Sequence, residues 1–214
     1  MDFLNFLVKR SDDFLEYGVQ HLIVVGAAVI AATVLGVSLG ILSFRFRQLR
    51  GPVLGITGAM LTIPSFALFV LMIPLLGLGT APVVVALTLY GLMPIVRNTI
   101  AGLDDVDPAV VESARGMGLN ARQRLARIQL PIAWPVILTG IRVTTVMIVG
   151  IAAIGAYVLG PGYGNMITDG LARVGSPAAT NLVLAGILGV VLVAVALDAL
   201  FTLLGRLTIS KGLR

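Results

Sequence analysis

Between residues 51 and 96 the chain carries no charged side chain. Such a run is too long for one membrane crossing, since about 20 apolar residues span the hydrocarbon layer. It is divided by Gly77-Leu78-Gly79-Thr80-Ala81-Pro82, a turn composition, which leaves spans at about 53–76 and 82–102. Composition agrees: 58% of the 214 residues are hydrophobic and 12% charged, with a mean hydropathy of +1.04, against about 25% charge in soluble domains. Lipid offers the backbone no hydrogen bonds, so runs of this length are helices. The expected class is an all-α membrane protein.

Three further spans are expected, at about 22–44, 134–159 and 178–204. In the first, Ala28, Ala32, Gly36 and Gly40 recur every four residues, giving a flat face that lets a neighbouring helix approach closely. Residues 1–17 mix Phe3, Leu4, Phe6 and Leu7 with Lys9, Arg10, Asp12, Asp13 and Glu16, and are expected to lie at the membrane surface. His21, at the edge of the first span, is expected to be solvated. A cleaved signal is disfavoured, because acidic residues precede an apolar run longer than a signal core. Pro64 and Pro94 are each expected to interrupt a span and to free a carbonyl about one turn upstream.

The basic residues alternate by side. Arg45, Arg47, Arg50, Arg115, Arg122, Arg124, Arg127, Arg206, Lys211 and Arg214 fall on one side of five spans, and Lys9, Arg10 and Arg173 on the other. The positive-inside rule makes the first side cytoplasmic, with the amino terminus outside and the carboxyl terminus inside. The net charge of +5 thus reflects topology and a lipid bilayer partner, with no nucleic acid expected. The absence of cysteine and the single histidine leave no thiolate or imidazole cluster, so no metal site is expected.

The polar segment 104–131 interrupts the apolar pattern. Asp107 followed by Pro108 suits a helix start, and Asn120 with Gln123 matches a capping box opening a second short helix to about residue 129, closed by Leu130-Pro131. Ala114 and Gly118, four apart, would share a helix face and form a notch for a partner. Glu112-Ser113-Ala114, then Gly118, then Ile128-Gln129-Leu130-Pro131 resembles the Glu-Ala-Ala, three residues, Gly, nine residues, Ile-x-Leu-Pro motif of the permease subunits of ATP-binding-cassette importers, with only the middle alanine replaced. The resemblance covers about 18–205. It implies a five-span type I importer bundle over 18–205, an extracytoplasmic or interfacial segment over 1–17, a cytoplasmic tail over 206–214, and a coupling loop that docks on the ATPase through Glu112, Ser113, Ala114, Gly118, Ile128, Leu130 and Pro131.

Pro64-Ser65-Phe66-Ala67-Leu68, Pro74-Leu75-Leu76-Gly77-Leu78-Gly79, Leu89-Tyr90, Pro94-Ile95-Val96-Arg97-Asn98-Thr99 and Arg115-Gly116-Met117-Gly118 are similar to the quaternary-amine branch of that family. The branch implies glycine betaine, carnitine or choline as cargo. Pro161-Gly162-Tyr163-Gly164 departs from the branch's usual Gly-Gly-Leu-Gly run. A trimethylammonium group offers no conventional hydrogen bond and aromatic faces attract it, so Phe66, Phe69 and Tyr90 near the proline kinks are candidate pathway residues, with packing or lipid-facing roles as the alternative; Pro64, Ser65, Pro94 and Asn98 complete the candidate set. Asp198 is expected to pair inside the membrane with Arg142 or Arg97, as a structural staple rather than a solute contact.

No Gly-x-x-x-x-Gly-Lys-Ser/Thr loop is present, so the chain is expected to be no enzyme and to bind no cofactor, with ATP and magnesium held by a separate ATPase dimer. The other implied partners are an extracytoplasmic substrate-binding protein and a second permease, identical or homologous, in a bacterial or archaeal plasma (inner) membrane. Methionine or another small amino acid is the alternative cargo. An ATP-independent channel or secondary carrier is the other class. Asp169-Gly170-Leu171-Ala172-Arg173 resembles the start of membrane CDP-alcohol phosphotransferases, but is one residue short and lacks their later aspartates.

Overall fold

The computed structural model describes residues 2–209, all of them in helices and connecting turns. In chain order the helices are α1 (Phe3–Lys9), α2 (Ser11–Arg45), α3 (Arg47–Thr62), α4 (Ser65–Leu76), α5 (Thr80–Asp104), α6 (Pro108–Gly116), α7 (Ala121–Arg124), α8 (Leu130–Ala152), α9 (Gly164–Ala172) and α10 (Ala179–Thr208). A π turn, Leu125–Gln129, joins α7 to α8, and a 3-10 turn, Ala153–Val158, extends α8. Four helical runs are long and apolar enough to cross a membrane, and α3 with α4, apolar enough together but bent at their break, forms a broken fifth span or a re-entrant loop. Lys211 and Arg214, counted above on the basic side, lie outside the described residues.

The first span reaches further than residues 22–44. Its helix α2 has 35 residues, about 52 Å at 1.5 Å per residue. Asp12 and Asp13 occupy its first turn, where they oppose the positive end of the helix dipole. Of the expected surface segment, only α1 stays separate, turning at Arg10 and burying Phe6 in the main core. His21 is not solvated: it is fully buried, with Nε2 3.1 Å from the Val149 carbonyl. A carbonyl only accepts, so Nε2 carries the proton.

Three helices, α2, α5 and α8, form the centre. Ala28, Ala32, Gly36 and Gly40 are all buried along α2. A Cβ on Gly36 would lie 2.8 Å from Ile95, and one on Gly40 2.5 Å from Thr99, both on α5. In turn Gly91 of α5 faces Ala32 and Thr144, and Gly140 of α8 faces Asn98. With no hydrophobic drive between helices in lipid, this close approach supplies the packing. Helix α10 lies outside, against α8 and α9, and leaves Val191, Leu192, Val195, Leu200, Leu203 and Leu207 exposed.

The two prolines act differently. At Ile63-Pro64 the chain bends by 103° between α3 and α4, and the Tyr90 hydroxyl donates to the part-buried Ile63 carbonyl. Pro94 does not interrupt its span, for α5 runs unbroken from Thr80 to Asp104. Packing on both sides by α2 and α8 holds α5 in register, and the Thr144 hydroxyl donates to the Gly91 carbonyl one helix away, at 3.3 Å.

Candidate functional site

The loop between α5 and α8 is built by local chemistry. The Asp107 side chain accepts from the Ala109 amide at 2.8 Å, with Pro108 in the first turn of α6. Helix α6 ends where the Leu119 amide donates to the Ala114 carbonyl and the Gly118 amide to that of Arg115, the paired bonds of a glycine C-cap. Gly118 has φ +84°, a left-handed conformation that glycine adopts without steric cost. Asn120 and Gln123 exchange both bonds of a capping box, at 3.0 and 2.9 Å, to start α7.

These bonds correct the expected notch. Gly118 is not on the face of α6 but terminates it, and Ala114 is 1% exposed. Helix α6 folds back on α7 and the π turn, and the small Ala114 permits that contact. Glu112 and Ser113 are exposed, the Ser113 hydroxyl donating to the Ala109 carbonyl at 2.8 Å. The tip instead presents Met117, 71% exposed, and Val110, 40% exposed. The sequence marked Met117 only as part of Arg115-Gly116-Met117-Gly118 and did not single out Val110; for Met117, an apolar residue flanked by two glycines in a polar segment was the available signal.

Leu130-Pro131 does not close the unit either. The helix passes from α7 through the π turn into α8, with Ile128 in that turn and Leu130 and Pro131 in the first turn of α8. Proline lacks the amide that would bond the carbonyl four residues back, and the wider π turn accommodates it. Residues 121–158 are consequently one helical run. No loop intervenes between α7 and the span.

Two contacts tie this end together. Arg50, at the start of α3, meets Asp104, at the end of α5, at 2.7 Å, and the Trp134 indole donates to the Thr208 hydroxyl at 2.9 Å. The starts of α3 and α8 and the ends of α5 and α10 thus share one basic end. The Arg50–Asp104 pair was also missed, although both charges flank spans assigned to the same side.

Among the candidate pathway residues, Phe69 and Tyr90 are buried in one core cluster. Pro64 sits at the bend with Ser65 opening α4. Phe66 is half-exposed and meets Tyr157 edge to face, ring centroids 5.8 Å apart. Pro94 and Asn98 belong to α5, the Asn98 amide donating to the Pro94 carbonyl at 2.8 Å. Between neighbouring helices, Arg142 of α8 grips Asp198 of α10 through two bonds, at 2.6 and 2.7 Å. Arg97 stands apart from them, exposed on α5. Among the described residues no three His, Asp or Glu side chains are gathered to hold a metal.

Residues 32–210 match the family described as binding-protein-dependent transport system inner membrane component. The osmoprotectant import permease protein OsmW of Salmonella typhimurium is 40% identical over the whole of both chains. The glycine betaine/carnitine/choline transport system permease protein OpuCB of Bacillus subtilis is 31% identical over 99% of this chain and 95% of its own. In three dimensions the chain is similar to one from the inward-facing MetNI methionine ABC transporter, with a TM-score of 0.81 and 20% identity over 92% of this chain and 96% of that one. At that identity the likeness speaks for the fold, a helical importer-permease bundle. A capped polar loop continuous with a span, a core of small-residue helix contacts and a family match over most of the sequence agree: the chain belongs to the binding-protein-dependent transport system inner membrane component family.

Proposed function

We propose that the chain is the membrane-spanning permease of an ATP-driven importer for quaternary-amine osmoprotectants, of the glycine betaine, carnitine and choline kind. The observation that carries the solute class is likeness along nearly the whole chain to a permease named for glycine betaine, carnitine and choline and to one named for osmoprotectants. Methionine has only the fold likeness behind it. An external binding protein delivers the solute, and the pathway forms between this chain and a second permease, identical or homologous. The basic end faces the cytoplasm, in keeping with the bias of arginine toward that side, and the amino terminus lies outside.

A separate ATPase dimer, which holds ATP and magnesium, seats the α6–α7 unit in its groove. Met117 and Val110 enter as apolar anchors beside the charged Glu112 and Arg115, as helices commonly dock. Closure of the ATPase then drives α7, the π turn and α8 as one lever, biasing the bundle between its two openings.

Uptake in cells lacking their own quaternary-amine importers tests the proposal. Expressed with its ATPase and binding protein, the chain is expected to accumulate at least one of the three labelled quaternary amines, and Met117→Asp to abolish that uptake while the permease still inserts. Accumulation of methionine alone overturns the solute class, and full uptake by Met117→Asp overturns the docking surface.

A further inference from the structure

The Arg142–Asp198 pair does not sit where a simple staple would. A staple is enclosed between its helices, yet these side chains are 42% and 41% exposed. Arg142 lies about 18 Å along α8 from Leu130 and Asp198 about 15 Å before the end of α10, at 1.5 Å per residue, well inside the membrane. Charged groups at such depth face protein or a water-filled cavity, because hydrocarbon solvates neither ion.

Beside Arg142 runs a groove of about 250 Å³, lined by Pro135, Leu138, Thr139 and Arg142 on α8 and by Phe201, Thr202 and Arg206 among others on α10, and Asp198 lines an adjoining hollow that shares Thr202 and Arg206 with it. Its chemistry is specific. The guanidinium fork matches a carboxylate with two parallel bonds. Asp198 and the face of Phe201 both attract a quaternary ammonium. The Thr139 and Thr202 hydroxyls donate to carbonyls of their own helices, Pro135 and Asp198, at 2.9 and 3.0 Å, so they turn acceptor lone pairs outward without competing for the carboxylate.

We propose that this groove holds the solute within the membrane by exchange of ion pairs, and that it selects a zwitterion, a quaternary amine bearing a carboxylate. The proposal rests on the solute class given under Proposed function. The solute's carboxylate replaces Asp198 on Arg142, while its ammonium takes Asp198 and Phe201. Two ion pairs then stand where one stood. A cation without a carboxylate breaks the resting pair and leaves Arg142 unsatisfied, so the groove disfavours choline relative to glycine betaine. With no solute present Asp198 stays on Arg142.

The absence of cysteine makes a direct test available. In the purified importer, assembled with its ATPase and a second permease, Thr202→Cys is expected to react with a small water-soluble maleimide. Glycine betaine is expected to slow that reaction at least about threefold at near-saturation, as simple occupancy dictates, and choline to slow it far less. A neutral double variant, Arg142→Gln with Asp198→Asn, removes both charges together and is expected to assemble but lose the protection. Alkylation unaffected by glycine betaine, equal protection by choline, or no reaction at all overturns the proposal. Uptake by the unsubstituted importer is measured in parallel. Quaternary-amine uptake without protection removes the groove alone, whereas no such uptake removes the solute class and the groove's ligand with it.

Discussion

Gly91 and Gly26 are both glycines inside membrane helices, and their surroundings set opposite signs for the same substitution. A Cβ on Gly91 would fall 2.7 Å from the Ala32 methyl and 2.9 Å from a Thr144 methyl, whereas one on Gly26 meets nothing within 4 Å. Gly91→Ala is expected to lower stability by about 1–3 kcal/mol, because two helix backbones must part to admit one methyl. Gly26→Ala is expected to raise it by about 0.5–1 kcal/mol through helix propensity. Thermal unfolding of the chain in detergent measures both. The four-residue spacing of Ala28, Ala32, Gly36 and Gly40 made one side of this contact legible in the sequence. Gly91 lay in no such series, so its role emerges only once α2 and α8 are seen to close on it.

At the scale of elements, α3 is held to the rest of the molecule lightly, with only Thr57 buried along its length. The Arg50–Asp104 pair joins its start to the end of α5, three residues ahead of the Asp107 cap of α6. Both side chains are partly exposed, 41% and 32%, and such pairs contribute about 0–1 kcal/mol to stability. The contribution expected of it is placement of the loop. Asp104→Arg is expected to leave the unfolding midpoint nearly unchanged while lowering solute uptake per ATP hydrolysed, through repulsion from Arg50. Adding Arg50→Asp is expected to restore the ratio. A ratio unaltered by Asp104→Arg would show that the loop is positioned by its own caps alone. Those caps were readable in advance, since Asp107 and Asn120 bond amides two and three residues away. The burial of Ala114 was not, because it depends on α6 folding back over the π turn.

For the molecule as a whole, the proposed topology sets which residues water-soluble reagents reach from each side. The connection between α9 and α10 carries Val174, 79% exposed, at the end opposite the α6–α7 unit. In intact cells, a membrane-impermeant maleimide is expected to label Val174→Cys and to spare Arg115→Cys until the membrane is permeabilised. The reverse pattern would invert the proposed orientation and remove the ATPase docking surface with it. Most of the fold was legible at this scale, because hydrocarbon demands long self-satisfied helices and the charged breaks between them are plain to see. Less of the candidate site was legible, since Arg142 and Asp198 are far apart in the sequence and Asp198 had two arginines within reach in principle.

The sequence alone determined what local chemistry and the solvent decide. It set the membrane class, the five apolar runs, the caps of α6 and α7 and the concentration of arginine at one end. Each follows from neighbours within a few residues or from the bilayer itself. Tertiary structure decided what depends on a second helix: Pro64 bends its span while Pro94, clamped between α2 and α8, does not; His21 is buried against Val149; and Asp198 meets Arg142 rather than Arg97. It also left the Arg142–Asp198 pair half-open along a groove rather than enclosed. A helix's sequence records which face is apolar, small or charged, but the neighbour on that face is chosen by the packing of the whole chain.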